Sequence, residues 1–205
     1  MRRMLAAGHH GLLVECDDLD DVMALHRSLD ASRPPGVVDL VPAARTLLLT
    51  FDATTTRADL AAAVTRAGTG DFVAAVSARA EIVIPVTYDG ADLADVAELT
   101  GIPVGDVVRR HQRPDYVVAF TGFAPGFAYI AGGDPGLVVP RRATPRTRVP
   151  AGSVSLASEF TGIYPREGPG GWQLIGRTDA VLWDLQREPP ALLAPGTPVR
   201  FTEVG

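Results

Sequence analysis

The chain of 205 residues contains no lysine; all nineteen basic residues are arginine. That absence excludes a P-loop lysine, a Schiff-base lysine and a lysine carrying biotin or lipoate. Cysteine occurs once, at Cys16, which excludes an internal disulfide and a cysteine-ligated zinc site. His9 and His10 are adjacent but have no ligand partners in the pattern, so no metal-ligand motif is present. No apolar run approaches the ~20 residues needed to cross a bilayer. Gly8-His9-His10-Gly11 interrupts any signal-peptide core behind Arg2 and Arg3. A cytoplasmic protein without a membrane partner is therefore expected. The net charge of -5 argues against nucleic acid, whose phosphates need a basic face. Ser153 lacks a G-x-S-x-G elbow and an ordered His and Asp, so a serine-hydrolase reading is weak.

What is present is apolar substance and turn chemistry. A hydrophobic content of 46% is ample for a core, and the length allows one large domain or two small ones. In the first eighty residues Gly11 to Cys16 reads as a strand. Asp17 and Asp18 then cap a helix carrying Val22, Met23, Leu25 and Leu29, with His26 as packing or solvent-facing. Val37 to Val41 and Thr46 to Phe51 read as strands, Thr56 opens a second helix, and Phe72 to Val76 returns toward the sheet. This order suggests a ferredoxin-like α+β sandwich over residues 1–79.

Residues 80–205 read differently. Glu81 to Tyr88 alternates as a strand, and helices follow at Asp92 to Leu99 and from Pro103 to His111. Tyr116 to Phe120 is a strand leading into a stretch dense in glycine and proline. Leu137 to Val139, Gln173 to Ile175, Ala180 to Leu185 and Val199 to Thr202 are further strand candidates. Many short strands with one helical excursion suggest a closed β-barrel.

Charge is distributed unevenly. No acidic residue occurs between Pro135 and Ser158, whereas Arg141, Arg142, Arg146 and Arg148 fall there, spaced by Pro140, Pro145 and Pro150. Arginine suits bidentate capture of carboxylate or phosphate. The run is therefore either an anion-binding loop joined by Arg177, or a set of arginines that pair with acids elsewhere in the fold or merely sit in solvent. Glu159 and Glu167 are the nearest carboxylates. Phe123, Phe127 and Tyr129 form either a pocket wall or ordinary core. Pro125 and Gly126 allow close backbone approach or make a turn. Trp172 stacks on a ligand or packs inside. Tyr164 presents its hydroxyl to substrate or bonds within the fold. His111 is either a general acid-base or a cation at a helix C-terminus.

Four motifs in order carry a resemblance: Gly122 to Tyr129, Pro140 to Ser153, Thr161 to Pro165 and Gly170 to Thr178. Together they resemble the KipI family, also called the 5-oxoprolinase B subunit or the first subunit of allophanate hydrolase, of carboxyltransferase subdomain C/D type. The resemblance implies a cyclophilin-like barrel for residues 80–205. It implies an ATP-dependent 5-oxoprolinase converting 5-oxo-L-proline to L-glutamate. Its partners would be a paralogous KipA-like C subunit and a third, LamB/YcsF-like A subunit. The family's other roles are allophanate hydrolysis and inhibition of a sensor histidine kinase. On this reading ATP is used by the complex and the substrate is a small anionic amide. His111, Tyr164 and Arg146 take catalytic roles. Arg141, Arg142, Arg148, Arg177, Pro125, Gly126, Phe127, Tyr129 and Trp172 line the site. Phe160 stands where the family pattern carries a glutamine.

Overall fold

The computed structural model describes residues 2–67 and 80–205. The chain divides into two compact units, Met1–Val76 and Ser77–Gly205. The expected strand at Phe72 to Val76 lies outside the described residues.

Among the described residues the first unit has a four-stranded antiparallel sheet and two helices. Its strands are β1 (Arg3–Ala6), β2 (Gly11–Glu15), β3 (Val37–Pro42) and β4 (Thr46–Phe51), in the order β1-β2-β4-β3. Helix α1 (Leu19–Ala31) starts where Asp18 accepts from the Asp21 amide at 2.8 Å. Helix α2 (Arg57–Arg66) opens on a capping box between Thr56 and Asp59. Such caps satisfy amides that the first helical turn leaves unpaired. Strand β4 alternates as a half-buried strand should, with Leu47, Leu49 and Phe51 inward. From the helices Val22, Leu25, Leu60 and Val64 are fully buried as well. The sequence pattern missed β1, which pairs with β2 from Arg3↔Glu15 to Ala6↔Leu12.

The second unit is a barrel. Its seven strands follow the order β12-β9-β10-β7-β6-β13-β5, where β5 is Ile82–Val86, β6 Tyr116–Thr121, β7 Ala128–Ala131, β9 Ser153–Ala157, β10 Phe160–Ile163, β12 Gln173–Arg177 and β13 Pro198–Glu203. Paired bonds between Thr87 and Arg177, both 2.9 Å, join the two outer strands and close the sheet. Closure protects the edges that an open sheet would expose. The interior is aliphatic, with Val86, Val96, Val107, Val118, Ile130, Val154 and Ile175 fully buried. Helices α3 (Leu93–Thr100) and α4 (Val104–Gln112) belong to this core through Val96 and Val107. Gly101 ends α3 with φ 69°, a left-handed conformation that favours glycine. A separate ribbon pairs β8 (Arg146–Val149) with β11 (Gly168–Gly170).

Two strand expectations need correction. Pro135–Leu137 is a 3-10 turn, and Val139 makes only an isolated bridge to Ser158. Ala180 to Leu185 is not a strand; Trp183 alone bridges Ala191. Proline, which donates no backbone hydrogen bond, recurs around both segments.

Candidate functional site

The arginine-rich run is organised by a residue that sequence reasoning passed over. Asp92 precedes α3 and is 1% exposed, yet its side chain does not cap that helix. It reaches instead to Arg146, whose Nη1 and Nη2 donate to the two carboxylate oxygens at 2.8 and 2.7 Å. Arg142 Nη1 donates to the same carboxylate, and the Leu174 amide completes the set at 2.7 Å. Burial alone would raise the Asp92 pKa; the Arg146 and Leu174 hydrogen bonds and the charges of both arginines outweigh it and hold the carboxyl below its usual value. The same contact pushes the Arg146 pKa up.

The remaining arginines part ways. Arg148 pairs with Glu167 at 2.6 Å and Arg177 with Asp89 at 2.8 Å, both in exposed positions where ion pairs contribute little. Arg141 has no carboxylate partner among the described residues; its guanidinium lies 5.9 Å from the Trp172 ring centroid. The arginines thus do not line one anion-binding hollow. Arg142 and Arg146 converge on an internal carboxylate, and Arg146 is a structural cation rather than a free catalytic one.

Beside Arg141 the aromatic residues pack into a wall of rings that is mostly core: Phe127, Phe160, Tyr164 and Trp172 are buried and Tyr129 is half-buried. Phe127 meets Tyr129, Tyr164 and Trp172 edge-on, with centroids 5.2 to 5.6 Å apart. Phe160 joins this wall against Tyr129 at 5.7 Å. The rings close over Gly162, where a Cβ would lie 2.7 Å from both Phe127 and Trp172. Pro125 and Gly126 make the turn before Phe127, with Gly126 at φ 85° and its backbone against Trp183. Phe123 caps the wall. Its φ of 64° is unusual for a residue with a side chain, the Ala124 amide closes a tight turn onto the Gly122 carbonyl, and the residue is 60% exposed. Its ring still reaches Phe127 and Tyr164.

Tyr164 is 2% exposed, so it backs the wall instead of meeting solvent. Burial raises its pKa, while a hydrogen bond from the Trp172 amide and the nearby Arg141 act in the opposite sense. The neutral phenol is the stable form. A Cβ at Gly170 would collide with its hydroxyl. Gly170→Ala is accordingly expected to cost about 1–3 kcal/mol by overpacking, read as a lowered melting temperature, with Gly168→Ala, which meets open space, as the neutral control.

His111 is also inside. It has no exposed surface, Tyr88 Oη lies 2.8 Å from Nδ1, and Thr161 Oγ1 lies 3.2 Å from Nε2. Phe201 and Tyr116 pack on its ring. It shares no hydrogen bond or ring contact with Tyr164 or with the described arginines, and a solvent-exchanging general acid-base role does not fit that position. Among the described residues no group of three His, Cys, Asp or Glu is placed to hold a metal, and no helix is long and apolar enough to cross a membrane.

With this geometry, similarity to known proteins becomes informative. The model of the carboxyltransferase domain, subdomain C and D, matches residues 2–193. The chain belongs to that family. It is 51% identical over 123 residues to the B subunit of 5-oxoprolinase from Escherichia coli O157:H7, covering 58% of this chain and 56% of that one. It is 42% identical over 129 residues to the B subunit of 5-oxoprolinase from Bacillus subtilis (strain 168), covering 62% and 54%. The chain therefore spans little more than half the length of these curated relatives. Among solved structures TTHA0988 matches with a TM-score of 0.76 at 36% identity, over 100% of this chain and 40% of that one. PH0987 from Pyrococcus horikoshii matches with a TM-score of 0.59 at 34% identity, over 98% and 97%. The Kluyveromyces lactis urea amidolyase, at 20% identity and a TM-score of 0.76 over 99% of this chain and 15% of that one, shares the fold.

Proposed function

We propose that this chain is the B subunit of an ATP-dependent 5-oxoprolinase, which opens 5-oxo-L-proline to L-glutamate with release of ADP and phosphate. The observation that carries the reading is the 42–51% identity to proteins bearing that name, over about three fifths of this chain. The site is compatible with the substrate. Arg141 supplies a charge for the carboxylate of a five-membered lactam, and the exposed ring of Phe123 and the half-buried ring of Tyr129 offer apolar surface to its ring. Tyr164 and the Asp92 cluster act as positioning groups behind that surface.

ATP belongs to the assembled complex in this reading. The chain contributes no triphosphate cradle of the usual kind, because it has no lysine and most arginines near the site are already answered by carboxylates. A paralogous KipA-like protein and a third, LamB/YcsF-like protein complete the enzyme. Exposed Phe123, Trp183 and Leu185 suit contact with a second protein.

The test is 5-oxoproline-dependent ADP release by the reconstituted complex. Arg141→Met is expected to raise KM for 5-oxoproline roughly tenfold or more by removing a charge-assisted contact, with kcat changed less. An Arg141→Met complex with unchanged KM removes the assigned role. Failure of the wild-type complex to release ADP with 5-oxoproline, but release with allophanate, replaces the substrate. A histidine kinase recovered in place of related proteins from the source cell would favour the inhibitor role.

A further inference from the structure

Arg141 lies in a stretch without helix or strand, so its side chain is aimed by whatever holds its two flanking peptides. Both are pinned, and by the same short segment. On one side Gln173 Nε2 donates to the Pro140 carbonyl at 3.1 Å, and that carbonyl shares a peptide plane with the Arg141 N–H. On the other, the Arg142 amide shares a plane with the Arg141 carbonyl and donates to the Gly171 carbonyl at 2.8 Å. Peptide planes are rigid, so fixing one on each side of a Cα fixes the φ and ψ between them, and with them the direction of Cβ. Trp172, whose ring centroid lies 5.9 Å from the Arg141 guanidinium, stands between the two anchoring residues. Leu174 extends the match: its amide donates to Asp92, and Asp92 holds Arg142.

One of the two anchors is a buried side-chain amide. Gln173 is 5% exposed, and its Oε1 accepts from nothing among the described residues. A buried amide with one end unpaired is less favourable than an apolar side chain of the same length. Packing alone would favour the apolar residue. What the amide contributes is the bond to Pro140.

We propose that Gln173 is a positioning residue for Arg141. It does not touch substrate; it sets the backbone from which the guanidinium reaches the substrate carboxylate. The inference rests on the assignment of that carboxylate to Arg141 under the proposed function. It adds that the affinity supplied by Arg141 depends on a residue 32 positions away in the chain, brought to it by β12.

Gln173→Met keeps the side chain's length and removes the donor. In the 15N-labelled chain the Arg141 Nε–H resonance, identified by its loss in Arg141→Met, is expected to move in Gln173→Met as the guanidinium leaves the ring current of Trp172. In the reconstituted complex the KM for 5-oxoproline is expected to rise roughly three- to tenfold, with kcat changed less. Added to Arg141→Met, Gln173→Met is expected to change KM by less than about twofold further, because a residue that acts through Arg141 has nothing left to act on. Gln173→Asn keeps the amide but is one methylene too short for Pro140, and should behave as Gln173→Met does. An unmoved Arg141 resonance in a folded variant, or KM effects of Gln173→Met and Arg141→Met that simply multiply, overturns the proposal. Loss of folding in both Gln173 variants overturns it too, because the amide is then a structural requirement. The resonance needs no substrate: a wild-type complex inactive towards 5-oxoproline removes the functional reading, and the NMR result still decides whether Gln173 aims Arg141.

Discussion

Asp92→Asn is expected to destabilise the barrel unit by about 3–5 kcal/mol, because breaking a buried ion cluster from one side leaves its other charges uncompensated. The change is nearly isosteric, so the loss is electrostatic. One carboxylate serves Arg142, Arg146 and the Leu174 amide at once, linking the start of α3 to the proline-rich loop and to β12. Asparagine retains one acceptor oxygen and turns an amide group toward guanidinium donors. Both tryptophans, Trp172 and Trp183, lie in this unit, so urea unfolding followed by their fluorescence reads the barrel selectively. Arg146→Met alone should cost less than Asp92→Asn, since Asp92 keeps Arg142. Adding Arg146→Met to Asp92→Asn should cost less than the sum, with a coupling of roughly 1 kcal/mol or more. A loss below about 1 kcal/mol for Asp92→Asn would mean the cluster contributes no more than an exposed ion pair does. The sign with pH follows from the lowered carboxyl pKa: the contribution is complete above the ordinary aspartate value and is lost as pH falls through the folded one.

Much of the fold was legible because local chemistry and global structure agree. Asp18, Thr56 and Gly101 mark helix ends by caps that need only neighbouring residues, and Thr46 to Phe51 alternates because one face of β4 is buried. That Phe127, Tyr129 and Trp172 carry aromatic rings for one cluster was legible, but whether they face a pocket or the core was not, because the burial of Phe127 and Trp172 depends on rings brought from distant segments. The arginine cluster was not legible. Its partner Asp92 lies 50 and 54 residues away from Arg142 and Arg146, and an aspartate before a helix reads locally as a cap. Nothing in composition separates a capping aspartate from one turned inward to gather guanidinium groups. His111 was misread on similar grounds. The last turn of a helix suits a cation, but burial depends on Phe201 and Tyr116, which arrive from distant strands. The hydrophobic pattern of α4 pointed to that outcome, since His111 lies four residues beyond Val107 on the same face.

That misreading leads to the second large effect. Burial lowers the pKa of His111 from 6.5 to about 3, so the folded barrel holds a neutral imidazole that the unfolded chain protonates near 6.5. Stability from this source is complete above pH 6.5. It falls as pH drops below 6.5, by up to about 1.4 kcal/mol per unit, until the folded value is reached. Between pH 6.5 and 4.5 the barrel is expected to lose roughly 2–3 kcal/mol. His111→Phe keeps a ring against Phe201 but cannot titrate. It should be less stable at pH 7, because Tyr88 and Thr161 lose their partner, yet its stability should be nearly flat over the same interval. His26, whose pKa burial also lowers, is in the first unit and common to both proteins, so it cancels in the difference. Asp92 does not enter at these pH values, because its carboxyl titrates below its ordinary 3.8. If wild type and His111→Phe lose stability in parallel from pH 6.5 to 4.5, then His111 is reached by protons without unfolding, and the barrel interior is more open than the packing of Tyr88, Tyr116 and Phe201 requires.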